Sequence, residues 1–171
     1  MHVHVLTAAV FALSAAFAFG APAISADLPQ SGTIKLHSSF NGNSQVVEVG
    51  EKHFMVSGNG WGVTYNDAGS GPLHMGALFC TYAVDDVNGS FNDGGGCAFG
   101  DPGGDKIFIA WSGKGTDNVG EQGTGTITGG TGKFAGIQGK VAYQCKPIDE
   151  KQILLGCTQQ IDYQFTAAAN K

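Results

Sequence analysis

Four cysteines are the residues whose chemistry follows most directly from their spacing. Cys80 and Cys97 lie symmetrically about Asn88-Gly89, the dipeptide most typical of a two-residue hairpin turn. Cys145 and Cys157 flank the polar stretch 146–152 in the same way, and strand alternation places their sulfurs on the apolar face. An even number of cysteines favours disulfides in an oxidising compartment, so we predict bridges 80–97 and 145–157 among the three possible pairings.

Zinc is the alternative use of four cysteines, but the chain has no C-x-x-C pair and no Cys/His cluster. Asp93, Asp101 and Asp105 lie among glycines, yet their spacing does not fit a calcium loop and is ordinary for turns. We therefore expect no metal site.

Aromatic and histidine side chains supply the candidate ligand contacts. Trp61 and Tyr65 share one face of a strand with Val63, and Trp111 shares a face with Ile107 and Ile109, so these three aromatics are expected to point inward. Tyr82 is a further wall candidate, and each Tyr or Trp combines an apolar ring with one polar atom. His53 and His74 could exchange protons near neutral pH, although an exposed histidine at a strand end is the simpler interpretation.

The sequence disfavours two classes of partner, nucleic acids and nucleotide cofactors. The formal net charge is −5 and all nine basic residues are Lys, so a nucleic-acid surface built on Arg is absent. The segment 130–135 fits G-x-G-x-x-A, but glycines and strand formers follow it where a phosphate-binding helix would have to start. We predict instead a glycine turn with Phe134 as a hydrophobic plug, and no cofactor.

The elements that must position these residues are short, β-rich runs separated by Gly, Asn, Asp and Pro. The predicted strands are Thr33–Phe40, Gln45–Val49, His53–Ser57, Trp61–Tyr65, His74–Val84, Ser90–Phe99, Lys106–Gly113, Glu121–Thr128, Gln138–Lys146 and Ile153–Thr166. Such a series predicts an all-β antiparallel barrel or sandwich. Glycines inside the strands favour the barrel, because they permit the bends that tight curvature needs.

The N-terminal segment has the composition of a secretory signal. Residues 1–26 contain no Asp, Glu, Lys or Arg, and an apolar run is followed by Pro22 and small residues. We expect a signal peptide at 1–26, with cleavage after Ala26 or alternatively Ala23, and a single domain at 27–171. A retained anchor is disfavoured because the run is shorter than the roughly 20 residues of a membrane span. The mature protein is expected to be secreted or periplasmic, with no membrane span.

Two strands have an unusual pattern, since Leu78 to Val84 and Ile107 to Trp111 are apolar on both faces. An outward apolar face must be covered, and a subunit interface is the economical way to cover it on a small barrel. We therefore expect a homo-oligomer.

The string 127–144, ITGGTGKFAGIQGKVAYQ, with Phe99-Gly100-Asp101-Pro102-Gly103 and the strand Lys106–Gly113, resembles the allene oxide cyclase barrel superfamily, which includes the plant dirigent proteins. The resemblance covers roughly residues 76–146. It implies an eight-stranded antiparallel barrel of calycin-like shape with an apolar cavity, often trimeric, and this chain would be a secreted, bacterial-type member. It supplies no catalytic residue, because residues 28–73 cannot be aligned with the part that carries them in the cyclases.

These observations predict a secreted, disulfide-stapled barrel that binds a small hydrophobic or phenolic molecule and steers its conformation. One alternative is a cyclase or isomerase without a redox cofactor, which would need a polar group in the cavity, such as a buried His53, His74 or Glu48. The other is a structural envelope protein whose barrel is filled by its own side chains. The sequence leaves catalysis, ligand identity and oligomer size open.

Overall fold

Eight antiparallel strands close into a barrel in which each strand pairs with its sequence neighbours and the last pairs with the first. The computed structural model describes residues 28–149 and 154–166. The strands are β1 Ser31–Gly50, β2 His53–Asn66, β3 Gly76–Val87, β4 Ser90–Gly100, β5 Lys106–Thr116, β6 Gly120–Gly130, β7 Ile137–Pro147 and β8 Leu154–Phe165. The predicted all-β class and the eight-stranded barrel are confirmed.

The strand count differs from the ten predicted runs because four of them merge in pairs. The run 33–40 continues into 45–49 as β1, and 53–57 continues into 61–65 as β2. Asn41, Gly42 and Asn43 look like turn formers in the sequence, but they pair directly with Trp61, Gly60 and Asn59. The ladder therefore overrides local turn preference at this point.

Both predicted disulfides are present, and both lie on the inner face. Cys80 bonds to Cys97 across β3 and β4, and Cys145 bonds to Cys157 across β7 and β8. Asn88 and Gly89 have φ values of 56° and 76°, the left-handed pair that a type I′ hairpin turn requires. The turn sets the register, and the register brings the cysteines opposite each other.

One end of the barrel is closed by side chains from the connections between strands. Leu73 and Phe134 are fully buried there and pack with Leu36, Ile107 and Ile161. Phe134 lies on a short 3₁₀ turn, Gly132–Phe134, between β6 and β7. The predicted plug is confirmed, and the core is concentrated at this end.

Two sequence predictions concern residues that the structure does not describe. The signal peptide at 1–26 lies wholly outside the described residues, and the hairpin between Cys145 and Cys157 includes 150–153, which also lie outside them. Within the described ranges, no helix is long and apolar enough to cross a bilayer.

Candidate functional site

The half of the barrel away from the plug encloses a cavity of about 460 Å³. That volume is within the range typical of small-molecule sites, and an eight-stranded barrel is just wide enough to hold one small ligand. On the side of the plug, the cavity is lined by the buried residues Leu78, Phe99, Ile109 and Val141. Aromatic side chains form much of the remaining wall, namely Phe40, Phe54, Tyr82, Phe91, Trp111 and Tyr143.

A pair of carboxyl groups lies in this mostly apolar wall. Asp93 on β4 and Glu121 on β6 both line the cavity, and their side chains share a hydrogen bond. A hydrogen bond between two carboxyl groups requires that one of them carries a proton. Burial, followed by the hydrogen bond to Asp93 and the charge of Asp93, raises the pKa of Glu121 to about 9. The pair therefore holds a proton at neutral pH.

Tyr143 approaches the carboxyl pair across two glycines. Asp93, Gly113, Gly123 and Tyr143 are successive register partners on β4, β5, β6 and β7. A Cβ on Gly113 would collide with the Tyr143 hydroxyl and would lie 2.7 Å from Asp93 Oδ1, and a Cβ on Gly123 would lie 2.6 Å from the Tyr143 ring. The missing side chains thus leave space between the phenol and Asp93, with the Tyr143 hydroxyl and Asp93 Oδ1 on either side of Gly113.

Burial and two neighbouring carboxyl groups determine the protonation of the Tyr143 hydroxyl. Burial, and then the charges of Glu121 and Asp93, raise the pKa of Tyr143 far above its ordinary value, so its hydroxyl remains protonated. The Trp111 ring lies edge-on to the Tyr143 ring, with centroids 5.6 Å apart. Among the described residues, Trp111 Nε1, Tyr143 Oη and Asp93 Oδ1 have no hydrogen-bond partner although all three atoms are buried. These atoms form the polar part of the cavity.

A second carboxyl pair lies near the hairpin turns at the same end. Asp86 and Asp117 line the cavity and share a side-chain hydrogen bond, and Asp86 Oδ1 also accepts the backbone N–H of Gly89 at 2.9 Å. Burial, and then the charge and hydrogen bond of Asp86, raise the pKa of Asp117. This end of the cavity is therefore acidic.

Two of the six predicted ligand-contacting residues line this cavity. Trp111 points inward with Ile107 and Ile109, as expected. Tyr82 also lines the wall, where its hydroxyl shares a 2.7 Å hydrogen bond with Ser44 Oγ.

The expected inward orientation of Trp61 and Tyr65 is wrong. The Trp61 side chain is 55% exposed on the outer face of β2, and Tyr65 stacks on His37 at the outside, with ring centroids 5.4 Å apart. The reason is that Gly58, Gly60 and Gly62 occupy the inner face of β2. A Cβ on Gly60 would collide with the ring of Phe40, which fills that space from β1.

The candidate acid and base residues from the sequence also lie away from the carboxyl pair. His53 is partly exposed and shares a 2.7 Å hydrogen bond with Asp85 on the outer surface. His74 lies between β2 and β3 with its ring edge-on to Tyr65, and its buried Nδ1 has no partner among the described residues. Glu48 is exposed near the end of β1.

The sequence analysis missed the carboxyl pair, although strand parity could have found it. Asp93 is an even number of residues from Cys97, and Tyr143 is two residues from Cys145, so both face inward once the disulfides define the inner face. Glu121 has the same parity as the core residue Ile127. Asp93 was considered only as a calcium ligand.

The other two aspartates of the rejected calcium loop have structural partners. Asp101 Oδ2 lies 2.9 Å from Lys133 Nζ, and Asp105 Oδ2 accepts the backbone N–H of Lys133 at 3.1 Å. Asp101 Oδ2 also accepts the N–H of Leu73 at 3.2 Å. These contacts hold the two plug segments together.

No protein-family model matches the chain, and no curated protein matches it. Among solved structures, it is similar to a pterocarpan synthase dirigent protein, with 14% sequence identity, a TM-score of 0.46, and coverage of 89% of this chain and 100% of that chain.

Proposed function

We propose that this protein binds one small molecule with an apolar or aromatic body inside the barrel and restricts its conformation. The observation that carries the proposal is the 460 Å³ cavity, whose wall is mostly aromatic and aliphatic and also includes polar and acidic side chains. Such a wall favours a ligand by burying apolar surface, and a few fixed polar atoms orient it. The filled-barrel alternative is disfavoured by the same cavity.

The two tryptophans give a direct test, because Trp111 lines the cavity and Trp61 lies outside it. 4-Bromophenol, which is uncharged at pH 7, quenches tryptophan only at short range. We expect saturable quenching in the Trp61→Phe variant, where Trp111 is the remaining reporter, and no saturable quenching in Trp111→Phe.

A cavity-filling substitution supplies the control. Val84 points into the cavity, and its neighbour Ala83 points outward. Val84→Phe should weaken 4-bromophenol binding at least tenfold, whereas Ala83→Phe should leave it unchanged. Equal binding by both variants would place the probe outside the barrel and contradict the proposal.

A second candidate function is a cyclase or isomerase without a redox cofactor, and the Asp93–Glu121 pair favours it. A carboxyl group that keeps its proton at neutral pH is suited to general acid catalysis. The Glu121 carboxyl would donate a proton to an epoxide or carbonyl oxygen, and the rearranged substrate would return a proton to the carboxylate. The expected result is turnover of an unsaturated epoxide that is lost in Glu121→Gln while 4-bromophenol binding is retained.

We also propose that the chain is exported and that residues 1–26 are removed. The two disulfides are compatible with an oxidising compartment outside the cytosol. Mass spectrometry of the protein isolated from its host should give a chain that begins at Asp27, or at Ile24 if cleavage follows Ala23. A chain that begins at Met1 would contradict this proposal.

A further inference from the structure

The ionisable side chains in the wall of the cavity are predominantly acidic. Four carboxyl side chains line it, whereas no Lys, Arg or His is among the described residues of its wall. They come from β3, β4, β6 and the turn between β5 and β6, so acidic groups converge from several elements. The acidic residues are Asp86, Asp93, Asp117 and Glu121, and the other titratable groups of the wall are Tyr82 and Tyr143.

A second, independent observation concerns hydrogen-bond acceptors. Gln159 lines the cavity with only 8% of its surface exposed, and its Nε2 donates to Ser38 Oγ at 2.8 Å. Its Oε1 is buried and has no partner among the described residues, and the same holds for Asp93 Oδ1. Leaving a buried acceptor unpaired is unfavourable, so a ligand that supplies donors here is favoured.

Asp93 and Gln159, the residues that carry these two acceptors, lie in one row across the strands of the barrel. Asp93, Gly113, Gly123, Tyr143 and Gln159 are successive register partners from β4 to β8. A primary ammonium has three N–H donors, which can serve separate acceptors, and no lone pair to repel them. The faces of the wall aromatics add attraction for a cation.

A carboxylate on the ligand would instead meet the remaining negative charge of the Asp93–Glu121 pair and the acceptors Asp93 Oδ1 and Gln159 Oε1, to which it can donate nothing. Trp111 Nε1 and Tyr143 Oη are donors without partners among the described residues, so a neutral hydroxyl group is the competing ligand chemistry. The comparison that matters is therefore between an amine and an alcohol of the same size.

We propose that the cavity selects organic cations, specifically protonated primary amines that carry an aromatic or apolar body. This inference rests on the proposed function, since it names the chemical class of the ligand for the same cavity. The acidic wall supplies charge and acceptors to the ammonium, and the apolar wall covers the body of the ligand.

Three probes of similar size test the selectivity by titration calorimetry at pH 7: 2-phenylethylammonium, 2-phenylethanol and 3-phenylpropionate. We expect the cation to bind at least tenfold more tightly than the alcohol, and the anion to bind more weakly than both. An alcohol or an anion that binds as tightly as the cation would overturn the proposal. If 4-bromophenol saturates but the amine does not bind, cation selectivity alone fails. If neither binds, the proposed function fails with it.

A variant and its matched control identify the groups responsible for the preference for the amine over the alcohol. The double variant Asp93→Asn/Glu121→Gln should reduce the preference for the amine over the alcohol to about threefold or less. The matched control is Asp85→Asn, which removes a negative charge from the outer face, where Asp85 contacts His53. The control should keep the wild-type preference. An unchanged preference in the double variant would overturn the assignment, and if that variant does not fold, the three-probe comparison on the wild-type protein decides.

Discussion

At the scale of single residues, the protonated carboxyl pair is the feature with the clearest energetic consequence. Glu121 has an ordinary pKa of 4.5, and burial together with Asp93 raises that pKa to about 9 in the folded protein. Between these values the folded protein holds a proton that the unfolded chain has released. The contribution of Glu121 to stability is therefore complete below pH 4.5 and is lost as the pH rises toward 9.

Glu121→Gln should remove this pH dependence. We expect the variant to lose less of its free energy of unfolding than the wild type between pH 5 and pH 9, because glutamine does not titrate. Urea unfolding at several pH values measures the slope. Glu48→Gln, at an exposed site on β1, is the matched control and should keep the wild-type slope. Parallel curves for the wild type and Glu121→Gln would show that Glu121 titrates normally.

Gly123 is the residue on which the position of Tyr143 depends. A Cβ at this site would collide with the Ser112 carbonyl oxygen and lie 2.6 Å from the Tyr143 ring. Gly123→Ala should therefore destabilise the protein by about 1–3 kcal/mol, the usual cost of overpacking. Gly103→Ala is the control, since its Cβ would meet only the Asp101 carboxylate at 3.4 Å. Equal urea midpoints for the two variants would contradict this account of the glycine.

At the scale of elements, each disulfide joins the two strands of one hairpin and lines the cavity. The cysteines are separated by 17 residues in β3–β4 and by 12 residues in β7–β8. Closing loops of this length restricts the unfolded chain by about 3 kcal/mol in the chain-entropy model. Because this effect acts on the unfolded chain, the bridges stabilise the folded barrel as a whole, although both lie in the wall of the cavity.

Removing one bridge should lower stability without changing the fold. We expect Cys80→Ala/Cys97→Ala to lower the free energy of unfolding by about 2–4 kcal/mol, measured by urea unfolding. The far-ultraviolet circular dichroism should remain that of a β protein, because the strand ladders do not depend on the bridge. A loss below 1 kcal/mol would show that the hairpin turn alone fixes this register.

At the scale of the whole molecule, the outer surface has an apolar row that crosses four strands. Trp61, Phe79, Ala98 and Phe108 are successive register partners on β2, β3, β4 and β5. Trp61, Phe79 and Phe108 are 55%, 48% and 37% exposed, respectively. This outer apolar row agrees with the prediction that the strands containing Phe79 and Phe108 are apolar on both faces. We propose that it contacts another copy of the chain.

A charge placed in the outer apolar row tests this proposal. We expect the wild-type protein to have the mass of an oligomer by light scattering coupled to size exclusion, and Phe79→Glu to shift it toward the monomer. Gln144→Glu adds a charge on the outer face of β7, which is not a neighbour of the row, and should leave the mass unchanged. A wild-type protein that is monomeric at all concentrations would rule out a self-interface at this row.

The sequence by itself determined the β class, the two disulfide pairings, the Asn88-Gly89 turn and the Phe134 plug. These features depend on neighbours in the chain: a turn dipeptide sets the register of its hairpin, and the register decides which cysteines meet. Alternation along β5 also predicted correctly that Trp111 faces inward.

Only the tertiary structure decided which face of β2 is inside and which polar groups meet in the cavity. Trp61 lies outside because Phe40 of another strand occupies the space over Gly60. The carboxyl pair forms because the curvature of the sheet from β4 to β7 brings Asp93, Glu121 and Tyr143 from three strands to one place. Such contacts depend on the curvature and closure of the whole sheet, which a local pattern of residues does not specify.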